Sequence, residues 1–231
     1  MPTGFDAGEH SGRRPTVVAV PGLGLSAAVP RRTLDLLGPP AGVVELPAFG
    51  LPAPRSTDLD PCALAERLLA RIDAPGPVVL VGHSASCQVV AAAAARTRVA
   101  GLVLVGPTTD PRAVGWPTLA ARWLRTAGHE RPGQVPRLAH DYARTAPGAM
   151  LRGMAAARRH RIERALAGVD CPVLVVRGRH DRIAPADWTA ALAAAAPRGR
   201  AHTLPAGAHM VPITHPAAIA AVIAEFLGRT A

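Results

Sequence analysis

A serine, an aspartate and a histidine each follow a different apolar run of the sequence. Ser84, Asp181 and His209 stand shortly after the ends of three such runs. A serine hydroxyl is a poor nucleophile unless a neighbouring histidine takes its proton and a third group orients that histidine. The three residues therefore predict nucleophilic attack on an acyl group, provided that the fold brings them together.

The residues around Ser84 are typical of a sharp turn from a strand into a helix. The segment is Gly82-His83-Ser84-Ala85-Ser86, and a helical stretch follows it. Small residues two positions before and two positions after the serine are needed because the backbone is crowded in such a turn. The turn would expose the Ser84 hydroxyl and direct the Ala85 N–H at a developing oxyanion. The alternative is an ordinary helix start with a capping serine.

Short apolar runs alternate with longer stretches rich in alanine, leucine and arginine. This alternation is typical of a parallel sheet flanked by helices, and runs of valine and leucine indicate strands buried on both faces. The fold class is therefore α/β, with a mostly parallel sheet of about six strands flanked by helices. We predict strands at residues 16–20, 43–46, 77–81, 99–105, 172–176 and 201–204, and helices at about 26–37, 60–72, 85–96, 186–196 and 216–228.

Residues 107–168 interrupt this alternation. They contain no strand-like run, and we predict two or three short arginine-rich helices split by prolines. Ligands of open α/β sheets bind at the carboxyl ends of the strands, and an inserted helical segment would cover that edge. We therefore predict a single domain over residues 1–231, with residues 107–168 as a small helical cap or lid. The dividing prolines are Pro117, Pro132, Pro136 and Pro147.

With these motifs the sequence resembles the α/β-hydrolase superfamily over roughly residues 16–228. Residues 82–86 resemble its nucleophile elbow, residues 178–185 its acid loop and residues 207–212 its histidine loop. The resemblance implies that Ser84 is the nucleophile, that His209 is the general base and acid, and that Asp181 is the orienting carboxylate. It also implies a serine hydrolase that needs no cofactor and no metal.

The resemblance extends to a tight turn after the first predicted strand, Pro21-Gly22-Leu23-Gly24. It implies that the backbone N–H groups of Leu23 and Ala85 form the oxyanion hole. Two departures stand out. The family's turn usually begins with His-Gly rather than Pro21-Gly22. Only about fifteen residues precede the first strand, too few for the usual opening hairpin, so we predict an N-terminally trimmed sheet.

Two alternative interpretations concern other residues. Gly22-x-Gly24-x-x-Ala27, with Glu45 about twenty residues later, satisfies a dinucleotide-binding pattern. Pro30 in the first turns of the following helix argues against it, and the pattern leaves the serine, aspartate and histidine unexplained. Asp110 is the alternative acid. It follows the predicted strand at residues 99–105, and some relatives carry the orienting carboxylate after that strand.

The candidate pocket residues are four aromatic or imidazole side chains. His83 adjoins the nucleophile and is expected to line the pocket or pack beneath it rather than to act as a second base. Trp116, Trp123 and Tyr142 lie in the predicted cap, where they would line a substrate pocket or pack the cap. The three cysteines are widely spaced and form no CxxC pair, which argues against a zinc site or a disulfide framework.

The net charge of +10 comes from arginine alone, since the chain has no lysine. Residues 107–168 contain 11 arginines and 4 acids, whereas the flanking segments are nearly neutral. Aromatic residues make up only 3%, which argues against a stacking platform for single-stranded nucleic acid, and no nucleic-acid partner is expected. The positive segment predicts either an anionic or carrier-bound substrate or a solvated helical face.

The first fifteen residues contain no apolar segment typical of a secretory signal, and no run of about 18 apolar residues occurs. We therefore expect a cytoplasmic protein without a membrane partner. The predicted function is hydrolysis of a carboxylic ester or thioester through an acyl-enzyme on Ser84. The alternatives are a thioesterase, acyl-transferring or lyase-type member acting on an anionic or carrier-bound substrate, and a non-catalytic small-molecule binder on the same fold.

Overall fold

The computed structural model describes residues 14–38 and 40–229. The strands within them are β1 (Thr16–Val20), β2 (Ala41–Val43), β3 (Leu46–Pro47), β4 (Gly50–Leu51), β5 (Val78–His83), β6 (Gly101–Val105), β7 (Val173–Gly178) and β8 (Gly199–Leu204). The helices are α1 (Ala28–Leu37), α2 (Pro61–Leu69), α3 (Ser86–Ala94), α4 (Trp116–Ala127), α5 (Val135–Thr145), α6 (Pro147–Ala157), α7 (Ile162–Ala167), α8 (Ala186–Ala195), α9 (Val211–Thr214) and α10 (Pro216–Gly228). Short 3-10 turns lie at Pro111–Ala113 and Pro132–Gln134.

The described residues form a six-stranded sheet in the order β2-β1-β5-β6-β7-β8, in which every neighbouring pair is parallel. The predicted fold class is therefore confirmed. Strands β5, β6 and β7 are buried along almost their whole length because helices cover both faces. Alternate strand side chains pack with α1 and α10 on one face and with α2, α3, α7 and α8 on the other.

The predicted strand at residues 43–46 is wrong. Ala41–Val43 joins the main sheet beside β1, whereas Leu46–Pro47 belongs to a separate two-stranded pair with Gly50–Leu51. The chain leaves the sheet at Glu45, whose carboxylate accepts a hydrogen bond from the Ala27 N–H at 2.8 Å. The apolar residues on the two sides of Glu45 therefore pack in different places, Val43 against the cluster on one face of the main sheet and Leu46 within the cluster on the other.

Residues 107–168, all of them described, contain four α-helices and two 3-10 turns rather than two or three helices. The prolines begin these elements instead of splitting them. Pro117, Pro136 and Pro147 each lie in the first turn of a helix, where their missing N–H would have no intrahelical acceptor. Helix α7 differs from α4, α5 and α6, because its Ile162 and Leu166 are fully buried in the core beside the sheet. The short helix α9 was not predicted either.

The parallel arrangement brings the carboxyl ends of all six described strands to one edge of the sheet. The loops after β1, β5, β7 and β8 therefore meet there, and they carry the oxyanion turn, the serine, the acid and the histidine. The loops after β7 and β8 touch at Gly178. A Cβ at Gly178 would lie 2.3 Å from the carbonyl oxygen of Ala208 and 2.6 Å from that of Gly207, so only glycine allows this approach.

The close approach at Gly178 predicts that a single methyl group destabilises the fold. We expect Gly178→Ala to lower the free energy of unfolding by about 1–3 kcal/mol, the usual cost of overpacking against atoms that cannot move away. The measurement is urea unfolding followed by circular dichroism. Gly148→Ala is the matched control, because nothing lies within 4 Å of a Cβ at that helical position. Equal unfolding midpoints for the two variants would contradict the argument.

In the described part of the chain, no helix is both long and apolar enough to cross a membrane. The expectation of no secretory signal concerns mainly residues 1–13, which lie outside the described residues.

Candidate active site

Ser84 occupies a strained turn between β5 and α3. Its φ is +57°, a left-handed conformation that is uncommon for a residue with a side chain. The Ser84 N–H donates a 2.9 Å hydrogen bond to the Val105 carbonyl of β6, which ties the turn to the sheet. A Cβ at Gly82 would lie 2.9 Å from the Cys87 backbone, so the crowding expected from the motif is present. Strain of this kind persists only where the surroundings enforce it.

Ser86 does more than supply the small side chain that the turn requires. Its Oγ accepts a hydrogen bond from the His83 N–H at 2.8 Å and lies 3.0 Å from the Val20 carbonyl oxygen, to which it can donate. The fully buried hydroxyl therefore joins the turn to the end of β1. Sequence reasoning missed this role, since a serine in a turn carries no signal of a partner on another strand.

The structure brings Ser84, His209 and Asp181 into one hydrogen-bonded series. The Ser84 hydroxyl lies 2.8 Å from His209 Nε2, and His209 Nδ1 lies 2.8 Å from Asp181 Oδ2. All three residues are buried. In this arrangement the Nδ1–H donates to the carboxylate and Nε2 is left to accept the serine proton, as nucleophile activation requires.

The environment of the pair separates the pKa values of Asp181 and His209. Burial alone would raise the pKa of Asp181, but the nearby His209 and hydrogen bonds hold it below its ordinary value. The Ile183 and Ala184 N–H groups both donate to Asp181 Oδ1 at 2.9 Å. Burial alone would lower the pKa of His209, but the Asp181 carboxylate raises it. The carboxylate is thus stabilised in its charged form beside the imidazole.

Arg177 supports the acid loop from inside the core. Its buried guanidinium donates to the carbonyl oxygens of Ala184 at 2.8 Å and Asp181 at 2.7 Å. These bonds fix the backbone on both sides of Ile183 and so hold the Asp181 side chain toward His209. The sequence gives no sign that Arg177 is buried, because it is one arginine among 26.

The alternative acid, Asp110, does not contact the imidazole of His209. Its buried carboxylate instead forms ion pairs with Arg112 at 2.8 Å and Arg122 at 2.6 Å. The structure therefore places only Asp181, of the two candidate acids, against the histidine.

His83 lies under His209 and holds its loop. The ring nitrogen Nε2 of His83 is 3.0 Å from the His209 carbonyl oxygen, and the two ring centroids are 5.2 Å apart. Burial lowers the pKa of His83 to about 3, so its ring is neutral and Nε2–H donates this bond. A Cβ at Gly22 would lie 2.6 Å from the opposite ring nitrogen, which requires glycine there. His83 is therefore both a packing residue and part of the cavity wall.

The predicted oxyanion donors are both available. Among the described residues, no hydrogen-bond acceptor is found for the backbone N–H of Leu23 or of Ala85. The turn that carries Leu23 is held on its far side, since the Gly24 N–H donates to the Ala48 carbonyl at 2.9 Å. Free N–H groups on a fixed turn can stabilise an oxyanion without rearranging.

The turn of Leu23 is also fastened to helix α5. The buried Asp141 carboxylate accepts hydrogen bonds from the Ser26 N–H at 3.1 Å, the Ser26 hydroxyl at 3.0 Å and Arg137 Nε at 3.1 Å. On the other side, Glu45 accepts from Ala27. Glu45 is the acidic residue of the dinucleotide-binding pattern, and its carboxylate already accepts a hydrogen bond from a backbone N–H of this turn. An Arg–Asp pair four residues apart was visible in sequence, but its burial against the turn was not.

Glu130 connects the helical segment to the histidine loop. Its Oε1 accepts a 2.7 Å hydrogen bond from the N–H of Met210, the residue after His209, and its Oε2 accepts from Gln134 at 3.0 Å. The carboxylate also lines the cavity and contributes to the raised pKa of His209. This role of Glu130 is not visible in the sequence, because the residue lies about 80 positions away from the loop that it holds.

A cavity of about 910 Å³ opens over Ser84 and His209. Its wall is mostly apolar and comes largely from α4, α5 and α6. The four predicted pocket residues, His83, Trp116, Trp123 and Tyr142, all line it. Other apolar side chains in the wall are Leu23, Leu25, Leu119, Leu124, Val135, Leu138, Met150, Leu151, Met154, Ile183 and Met210.

The described residues contain no group of three or more histidine, cysteine, aspartate or glutamate side chains placed to hold a metal ion. The three cysteines, all within the described part, are unpaired. Burial raises the pKa of the Cys87 thiol, so this cysteine beside the strained turn is protonated and packs as a small apolar residue.

A parallel sheet that presents a serine on a strained turn defines the class of α/β hydrolases. The chain belongs to the alpha/beta hydrolase family, because the model of that family matches residues 17–222. A search of the curated proteins finds no significant match.

Solved structures share the fold at low sequence identity. A hydrolase from Oleispira antarctica is 15% identical with a TM-score of 0.75, and the match covers 95% of this chain and 93% of that one. A thermophilic esterase from Thermogutta terrifontis is 19% identical with a TM-score of 0.73, covering 94% and 90%. A bromoperoxidase from Bacillus anthracis is 18% identical with a TM-score of 0.72, covering 95% and 93%.

The position of Glu130 predicts a measurable change in the titration of His209. The ring of His209 faces Asp181, Glu130 and the neutral His83, and the two carboxylates favour its charged imidazolium form. We expect the pKa of His209 to lie above the ordinary 6.5 in the wild type and to be lower in Glu130→Gln. The amide keeps an acceptor for the Met210 N–H but loses the negative charge. NMR titration of the His209 ring measures both values.

Glu163→Gln is the control for this titration, since Glu163 pairs with Arg161 and makes no contact with the histidine loop. It removes the same charge and should leave the midpoint of His209 unchanged. An unchanged midpoint in Glu130→Gln as well would show that Glu130 has no electrostatic role.

Proposed function

We propose that the protein is a serine hydrolase that cleaves a carboxylic ester or thioester with an apolar acyl group, through an acyl-enzyme on Ser84. The observation that carries the proposal is the hydrogen-bonded series from Ser84 through His209 to Asp181 at the floor of an apolar cavity. A serine on a strained turn without such a base would remain unreactive.

In the proposed mechanism, Ser84 Oγ attacks the acyl carbon while its proton passes to His209 Nε2. Asp181 stabilises the imidazolium, and the N–H groups of Leu23 and Ala85 hold the oxyanion. The bond to the leaving group then breaks as His209 returns the proton to the leaving oxygen or sulfur. Water attacks the acyl-enzyme with His209 again as base, the bond to Ser84 Oγ breaks, and the serine recovers its proton.

The cavity wall supports an apolar substrate rather than an anionic one at the reacting centre. Glu130 and Arg131 are the charged side chains among its described lining residues. Several apolar lining residues are also strongly exposed, including Trp123 at 51% and Leu124 at 68%. An exposed apolar rim of this kind is typical of a surface that meets a hydrophobic ligand. One structural neighbour is described as an esterase, which is in keeping with cleavage of an ester bond.

The helices that form most of this wall act, in our proposal, as the cap of a single hydrolase domain. Helices α4, α5 and α6 within residues 107–168 supply the roof, and Glu130 and Asp141 attach it to the histidine loop and the oxyanion turn. The cap would therefore select the acyl group and form the apolar surroundings of the acyl-enzyme.

The first test is removal of the nucleophile. We expect Ser84→Ala to abolish hydrolysis of an activated short-chain ester, because it removes the hydroxyl that lies 2.8 Å from His209 Nε2. A fluorophosphonate should label the wild type at Ser84, as detected by mass spectrometry, and should not label the variant. Cys87→Ala is the control, since that buried thiol adjoins the turn without entering the mechanism. Undiminished hydrolysis by Ser84→Ala would refute the assignment, and an unlabelled wild type would favour a non-catalytic binder.

The second test is the dependence of rate on acyl chain length. Each methylene buried in an apolar cavity contributes about 0.8 kcal/mol, so kcat/KM should rise about fourfold per methylene until the cavity is filled. The measurement uses ester and thioester series that share the same acyl groups, which also separates esterase from thioesterase activity. A rate that is flat or falls from the shortest chain onward would contradict the assignment of the cavity to the acyl group.

A further inference from the structure

A second cleft, of about 530 Å³, lies against the face of α4 that points away from the apolar cavity. Among the described residues it is lined by Arg112, Arg122, Arg125, His129, Arg182, Pro185 and Asp187, and we call it the arginine cleft. Trp116 and Trp123 of the same helix line the apolar cavity, so one helix separates the two spaces.

The buried carboxylate of Asp110 holds two guanidinium groups of the arginine cleft in place. The Asp110 carboxylate, whose side chain is 1% exposed, binds Arg112 through Nε at 3.0 Å and Nη2 at 2.8 Å, and binds Arg122 through Nη1 at 2.6 Å. Asp187 binds the remaining Nη1 of Arg112 at 2.5 Å. Because a buried carboxylate fixes both arginines, they lose little side-chain freedom when they bind a ligand.

The other two arginines of the cleft carry charge that is not balanced. Within the described residues, neither Arg125 nor Arg182 has an acidic partner, whereas Asp110 and Asp187 offset only the charges of Arg112 and Arg122. The backbone of Arg182 is nevertheless fixed, since its N–H donates to Thr126 Oγ1 of α4 at 3.0 Å. The cleft therefore holds an excess of two positive charges on an ordered frame.

Two stacked histidines border the arginine cleft. The rings of His129 and His180 are nearly parallel, with centroids 4.6 Å apart. Desolvation, together with the positive charges of the neighbouring arginines, lowers the pKa of His180. An anion at this place would meet guanidinium and imidazole donors together.

We propose that the arginine cleft binds the dianion of a phosphate monoester. Guanidinium groups donate paired hydrogen bonds that match the oxygens of phosphate, and a dianion balances the two excess charges. The phosphate has two chemical sources: a free phosphorylated small molecule, or the leaving group of the substrate itself, whose apolar part would occupy the cavity on the other side of α4. The site is independent of Ser84, whereas the second source rests on the proposed hydrolase function.

The experiment measures binding of phenyl phosphate and of inorganic phosphate by calorimetry at an ionic strength of about 0.1 M, where distant charges are screened. We expect saturable one-to-one binding by the wild type and by Ser84→Ala. The double variant Arg125→Gln/Arg182→Gln should bind at least about tenfold more weakly, since each lost charged hydrogen bond has a strong effect on affinity. Both side chains are exposed, and urea unfolding of the double and single variants verifies that they fold.

The matched control is Arg159→Gln/Arg164→Gln, which removes the same charge from exposed arginines outside the cleft. Equal weakening in the control would show that phosphate responds only to net charge, and this result would overturn the site. Absence of saturable binding by the wild type would overturn it as well. Weakening confined to the cleft variant would support it.

Kinetics then identify the source of the phosphate. Two esters with the same acyl group are compared, one with a neutral alcohol and one whose alcohol carries a phosphate monoester. If kcat/KM for the phosphorylated ester alone falls about tenfold in the cleft variant, the phosphate belongs to the substrate. If both esters are unaffected while calorimetry shows lost binding, the ligand is a free phosphorylated molecule. Failure of hydrolysis in the wild type would refute the proposed function and leave the calorimetric test of the site intact.

Discussion

The buried hydrogen bond between Asp181 and His209 is the interaction on which the site depends. Moving a carboxylate out of water is costly unless donors replace the lost hydration. The histidine ring and two backbone N–H groups of the acid loop supply those donors. Arg177 and Gly178 allow the arrangement, since the first fixes the loop from within and the second lets the histidine loop approach. With Nδ1 of the imidazole bonded to Asp181, its Nε2 faces the Ser84 hydroxyl.

Two carboxylates attach the helical residues 107–168 to the loops around Ser84 and His209. Glu130 accepts the N–H of Met210 beside the histidine, and Asp141 accepts the N–H of Ser26 in the turn that carries Leu23. Each contact joins the wall of the apolar cavity to a loop that holds a reacting group. A displacement of α4 or α5 would therefore move His209 or the turn of Leu23, so that, in the proposed mechanism, binding in the cavity would affect the chemistry at Ser84.

The sequence pointed to Ser84, Asp181 and His209, which the structure brings together, because each follows an apolar strand and strands of a parallel sheet end at one edge. It also predicted the sheet and most helix positions to within a few residues. It could not identify Glu130, Asp141 or Ser86, because their partners lie on elements whose relative placement only packing determines. The predicted strand at 43–46 was wrong for a related reason, because apolar residues do not indicate which of two sheets buries them. Asp110 illustrates the same limit, because its place after β6 suits a role beside His209 as well as its actual partnership with arginines.

The parallel strand order makes assembly of the sheet depend on distant parts of the chain. β1 lies between β2 and β5, and β5 begins only at Val78, so the first strand has no second neighbour until that region has been synthesised. β7 and β8 come after the whole helical segment and complete the far side of the sheet. When two parallel strands lie so far apart in sequence, their pairing closes a long loop. The entropy of loop closure is lost before apolar surface is buried, and this slows folding. The acid and histidine loops therefore cannot come together until the chain has been synthesised beyond His209.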